Sequence, residues 1–232
     1  MLHALSDYGA RLGGEPGFKT REVRWRIDIA LDGKLLAVIP LGDGNRGTHL
    51  ARCPDMHGMN AGGKAHFLVE SAQTIALHLK ANEDPKKVES AQGRHHFYAN
   101  MIREAGAVSP SLAAIHRCLT DASAISLLRA KLAENKAKPT DWLTWRVGDS
   151  DPLALPETQN WWRDWRQADT RGSDAPDETR SDRTMICFLT GDASAPLPTH
   201  PKITGLSGVG GLAMGDVMVG YDKSAFTSFG LE

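Results

Sequence analysis

Val23, Trp25, Ile27 and Ile29 alternate with Arg24, Arg26 and Asp28, and Asp32-Gly33 then leads into a second apolar run, Leu35 to Leu41. A period of two puts the large apolar side chains on one face of a strand, and an Asp-Gly pair supplies the positive φ of a tight hairpin turn. This part of the chain is therefore committed to an antiparallel hairpin with one buried face. The rest must supply something to cover that face.

Covering material is available. The chain has 232 residues, 41% of them hydrophobic and 24% charged, enough for one large domain or two small ones with a real core. Lys and Arg number 27 against 28 Asp and Glu, a net charge of -1, so no chain-wide basic field draws it to nucleic acid or to a membrane. Contact with nucleic acid must come from a local patch. Cys53, Cys118 and Cys187 are odd in number and widely spaced, which fits reduced thiols and neither a disulfide framework nor a CxxC zinc pair. The N-terminal segment lacks a basic stretch followed by a long apolar core, and no apolar run is long enough to span a bilayer, so a cytoplasmic protein is expected.

Leu2, Leu5, Tyr8 and Leu12 predict a short opening helix ended by Gly13-Gly14. Residues 42–63 carry six glycines and Pro54 without hydrophobic period, which predicts a long surface loop. Phe67 to Leu79 predicts a helix that Asp84-Pro85 breaks. Residues 87–105 and 109–135 predict two further helices, the second opened by Ser109-Pro110, and together they form a helical insert near 82–138. Trp142 to Val147 alternates and predicts a second sheet region, and Glu157 to Gln167 a short helix. Asp169 to Arg183, with five acids and three arginines and no large apolar anchor, predicts a mobile loop. Met185 to Leu189 and Val217 to Tyr221 predict short buried strands. The fold class is mixed α+β, with mainly antiparallel sheet regions and the helical insert.

Gly208 to Ala213 matches the dinucleotide pattern GxGxxA, but Pro198 and Pro201 precede it and a strand-like run follows it, so the strand–turn–helix context of a cofactor site is missing. No cofactor is expected. His49, Cys53 and His57 are four apart, yet Gly47, Pro54 and Gly58 argue against the helix that would face them one way, so they are expected as surface loop residues and no metal is assigned. No GxSxG, HExxH or comparable arrangement appears, and no catalytic residue is assigned. Trp161, Trp162 and Trp165 are expected to pack in the core. The segment Asn60-Ala61-Gly62-Gly63-Lys64-Ala65-His66 joins backbone freedom to polar and basic groups, with Arg46 and Arg52 upstream against Asp43 and Asp55. Such a patch suits a phosphate backbone or a groove edge.

Taken in order, several stretches resemble the N-terminal part of the large subunit of type I-C CRISPR Cascade complexes (the Cas8c/Csd1 family). They are Leu2 to Leu12 with Pro16-Gly17-Phe18, the hairpin Trp25 to Leu41, Gly62 to Ser71, Trp142 to Gly148, Cys187 to Gly191, and His200-Pro201-Lys202-Ile203 through Gly230. His66 stands where the family shows an asparagine. The resemblance implies that residues 1–232 form the region that recognises the protospacer-adjacent motif, with the family's helical C-terminal region absent after Glu232. It implies a non-enzymatic subunit that binds duplex DNA, helps to open it and supports recruitment of the helicase-nuclease, while guide pairing reads the remaining sequence.

On that reading Asn60, Gly62, Gly63, Lys64 and His66 probe the motif and Gln73 is a candidate wedge. Lys202, Gly208, Gly210 and Gly211, with Arg46 and Arg52, contact phosphate or the neighbouring parts of the complex. The implied partners are crRNA, other Cascade subunits, target duplex DNA and the helicase-nuclease, with an anti-CRISPR protein left open and no membrane. Two rivals remain at the level of sequence: a cytosolic enzyme holding a phosphorylated ligand in its glycine-rich loops, and a protein adaptor using the tryptophan cluster.

Overall fold

The computed structural model describes residues 15, 17–43, 46–56, 63–172, 185–186, 191, 193–194, 206–212 and 215–216. The chain forms two compact units, Asp7–Ala175 and a second made of Met1–Ser6 with Pro176–Glu232.

In the larger unit, β1 (Phe18–Val23) is followed by β2 (Trp25–Ile29) and β3 (Leu35–Pro40), which pair antiparallel as the alternation predicts. Trp25, Ile27 and Ile29 are all buried. Gly33 closes the turn at φ +93°, and a Cβ there would lie 2.8 Å from the Cβ of Arg117, so glycine serves both the backbone and the close approach of a helix. β4 (Thr48–Pro54) pairs antiparallel with β1, from Phe18 opposite Pro54 to Val23 opposite Thr48. The long surface loop expected over 42–63 is thus interrupted by a strand. Cys53 on it is buried, not a surface loop residue. Cys53 and Cys118 are both free, and burial pushes each thiol up to about 11.

β5 (Glu70–Ser71) and β6 (Trp142–Val147) complete a four-stranded sheet in the order β3-β2-β6-β5. β6 runs parallel to β2, with Trp25 opposite Leu143. It therefore extends the hairpin's own sheet instead of starting a second one. Everything between β2 and β6 is the crossover that this parallel pairing requires.

The last part of the crossover, from β5 to β6, is mostly helical. Only α1 (Ala72–Ile75) forms where a helix over Phe67 to Leu79 was expected, because Leu68 and Leu77 take positive φ values of 59° and 51° on either side of it. α2 (Pro85–Ala105) starts at Asp84, whose carboxylate accepts from the Lys86 amide at 2.9 Å, with proline in the first turn. The segment 109–135 is two helices, α3 (Pro110–Thr120) and α4 (Ala122–Glu134). Asp121 is extended between them and caps α4 by accepting from the Ser123 amide at 2.8 Å. Tyr98 of α2 is fully buried; it accepts from the Trp145 indole at 2.7 Å and donates to the Leu68 carbonyl at 3.4 Å, which ties helix, sheet and the 63–71 loop together. Burial pushes its hydroxyl far above the usual phenol range.

α5 (Pro156–Gly172) carries the tryptophans inward. Trp162 is fully buried, stacks on Phe67 and Trp165, and donates to the Gly17 carbonyl at 2.8 Å. Core packing is the role of this cluster. α5 runs through Gly172, so the loop expected from Asp169 begins as helix.

In the smaller unit, β7 (Met185–Ile186) pairs antiparallel with β8 (Ala193–Ser194). Leu206–Val209 is a 3₁₀ turn followed by coil, with Gly210 at φ +97° and the Leu212 amide donating to Asp216 at 3.0 Å. Among the described residues no long helix opens at these glycines. The expected opening helix and the strand Val217 to Tyr221 lie outside the described residues. Among the described residues no helix is long and apolar enough to cross a membrane.

Candidate nucleic-acid interface

The segment that follows Gly63 is a buried loop, built by side chains that replace helical hydrogen bonding. Gly63 takes φ +88° with open space around it, and Lys64 beside it is half-buried. From Ala65 to Ser71 every residue is buried. Leu68 sits in the left-handed region at φ 59°, which costs about 1–2 kcal/mol in a non-glycine residue. Two anchors offset that strain. Phe67 packs on Trp161 at 4.8 Å between ring centroids, and the Glu70 carboxylate accepts from its own loop, from the His66 amide at 2.9 Å and the Ser71 amide at 2.7 Å.

A polar network continues from this loop to β1 and β4. Arg21 pairs with Asp55, its Nη2 lies 3.0 and 3.4 Å from the two His66 ring nitrogens, and its guanidinium stacks 4.1 Å from the Trp142 ring centre. The Met56 amide donates to His66 Nδ1 at 3.0 Å. Burial first, and Arg21 second, hold the His66 imidazole below its ordinary value, against the upward pull of Glu70 and Asp55. The ring is held neutral, as an acceptor at Nδ1 requires.

Trp142 and Thr140 form a shared ridge between two shallow pockets. One, of about 350 Å³, is lined by Thr20, Arg21, Glu22, Arg24 and Asp141 on its other walls. The second, of about 230 Å³, is lined by Lys64, His66, Glu70, Ser71, Gln73 and Arg94. Gln73 reaches it because α1 starts one residue after β5, and the Gln73 amide is held by the Pro139 carbonyl at 2.9 Å. Both pockets are polar and open. Such a surface suits an extended polar ligand better than a small apolar one.

Of the residues singled out from sequence, Lys64, His66 and Gln73 line this second pocket, with Gly63 preceding Lys64. His66 is 5% exposed and its ring sits inside the ion-pair network, where it accepts the Met56 amide and braces the loop. Asn60, Gly62 and Lys202 lie outside the described residues. Arg46 is exposed in the β3–β4 connection. Arg52 lies on β4 and is engaged elsewhere, 2.7 Å from Glu15 and over the Phe18 ring. Neither arginine lines the two pockets. In the smaller unit Gly208 and Gly210 are exposed and Gly211 is half-buried. Sequence reasoning missed Arg21, Arg94 and Trp142. The last sits at the start of an alternating strand, where an aromatic on the polar side of the alternation was a usable signal. Among the described residues no group of three or more His, Cys, Asp or Glu is placed to hold a metal ion.

An α+β unit with a polar, aromatic-ridged groove and a chain-long family match falls among the CRISPR-associated proteins. The chain belongs to the family described as CRISPR-associated protein (Cas_Csd1), whose model matches residues 5–232. No curated protein matches the sequence. Membership places the chain among proteins that work with other CRISPR-associated components.

Proposed function

We propose that this chain is the DNA-binding subunit of a type I-C CRISPR surveillance complex: it recognises the protospacer-adjacent motif in duplex DNA, helps to open the strands and supports recruitment of the helicase-nuclease. The observation that carries the reading is the meeting of Lys64 and Gln73 in one open polar pocket beside Trp142. A lysine supplies a point charge for phosphate, and an amide donates and accepts at base edges. Gly63, at positive φ and without a side chain, lets that edge approach a groove closely. The subunit cleaves no bond itself, works in the cytoplasm, and meets crRNA and other Cascade subunits through the rest of its surface.

The test is reconstitution with crRNA and the other Cascade subunits, followed by a motif-library binding screen. Gln73→Ala should blur the motif preference. Lys64→Ala and Lys202→Ala should weaken duplex binding at all motifs and flatten its salt dependence by about one counterion each. A motif preference untouched by Gln73→Ala, with unchanged salt slopes in both lysine variants, would refute the reading.

A further inference from the structure

We infer that Arg94 is a phosphate contact in this groove, holding one phosphodiester of the target DNA in the pocket it shares with Lys64. The inference rests on the DNA-binding reading above and deepens it, since nothing in the sequence pattern marks Arg94. It lies mid-way along α2, where an arginine reads as a solvated helix residue.

Arg94 is half-buried and lines the pocket, and its Nε is enclosed with no hydrogen-bond partner among the described residues. An enclosed donor without a partner is costly unless a ligand or water meets it. Its mount is rigid. Ala91 and Tyr98, three residues before and four after, are buried on the same helical face, and the neighbouring His95 ring contacts the Thr74 carbonyl at 2.9 Å.

The pocket also holds one acid. Glu70 is a carboxylate, yet both its oxygens already accept backbone amides, and Lys64 and Arg94 outnumber it. His66, held neutral, adds no charge. The planar guanidinium fork of Arg94 is suited to a singly charged phosphodiester.

The experiment uses the assembled complex with crRNA. Arg94→Gln should bind target duplex more weakly by the same factor at every motif and lower the log–log salt slope by about 0.9. crRNA loading and the motif ranking should not change. A neutral methylphosphonate, walked along each DNA strand, should weaken the parent complex at one linkage and weaken Arg94→Gln clearly less at that linkage. Arg94→Lys keeps the charge and should keep the salt slope, which provides the comparison if the glutamine variant does not assemble.

An unchanged slope in Arg94→Gln, or a slope lowered as much by lysine, would overturn the assignment. So would an altered motif ranking, or a defect confined to crRNA loading. In each of these cases Lys64→Ala and Gln73→Ala still report on the motif-binding reading independently.

Discussion

Replacing Glu70 with alanine tests whether the 63–71 loop is held by one carboxylate. The side chain is 5% exposed and accepts two buried amides, at 2.9 Å from His66 and 2.7 Å from Ser71. Hydrogen bonds to a charged acceptor contribute about 1.5–3 kcal/mol each, and their loss here leaves two buried donors unmet. Glu70→Ala should therefore cost about 3–5 kcal/mol. For a chain of this size that is a fall in Tm of roughly 10 °C. Glu70→Gln keeps one acceptor oxygen and turns the other position into a donor, so it should cost about half as much. Urea unfolding gives the free energies, and amide hydrogen exchange gives the location: protection at His66 and Ser71 should collapse before that of β2 and β6. A Glu70→Ala protein within about 0.5 kcal/mol of the parent, or with those two amides still protected, would refute the reasoning.

Stability should fall as pH drops below 6.5, because the folded protein holds His66 below that ordinary value while the unfolded chain takes up the proton. His116, lowered by burial and by Arg103 and Arg117, acts with the same sign, so His66→Gln should make the pH dependence shallower without abolishing it; an unchanged curve in denaturant titrations would refute the assignment. Trp162→Phe removes the indole donor that meets the Gly17 carbonyl at 2.8 Å and should cost about 1–3 kcal/mol in urea unfolding. Trp162→Ala should cost more, about 3–5 kcal/mol. Three proposed phosphate contacts, Lys64, Arg94 and Lys202, should give the assembled complex a salt slope of at least about 2.7, and raising salt from about 50 to 200 mM should weaken it by roughly fortyfold or more. A loss under about tenfold in filter binding would show that fewer phosphates are met.

The hairpin was legible because all its information is local. Alternation over five residues and one Asp-Gly turn decide it, and Gly33 then meets Arg117 on a helix whose start at Ser109-Pro110 was legible for the same reason. β4 was hidden because Thr48 to Pro54 does not alternate; its partner strand β1 supplies the register, and the Arg21–Asp55 pair ties the residue after it to β1. The helix expected from Phe67 failed for a different reason. Phe67, Val69 and Ile75 are apolar at plausible spacing, but each is buried in a path that positive φ at Leu68 has redirected. Likewise periodicity runs unbroken through Asp121, and it is its extended backbone and capping bond to Ser123 that end α3 and begin α4 there.

In the site, Lys64 and Gln73 were legible as polar residues near a glycine pair, and they meet because Glu70 folds the chain between them back on itself. His66 read as one more surface group because nothing within ten residues on the upstream side announces Arg21, forty-five positions away, as its neighbour. Burying a histidine costs little when it stays neutral and its ring nitrogen accepts an amide, and burying Asp55 is supported by the arginine that pairs with it. The consequence is a division of labour. Side chains that face the groove, Lys64 and Gln73, are half-exposed and replaceable at small cost in stability, whereas Glu70 and His66 hold the backbone beneath them. On the proposed DNA-binding reading, motif preference can then change by substitution at the rim while the loop that presents the rim keeps its shape, and the two sets of variants should separate cleanly into binding defects and folding defects.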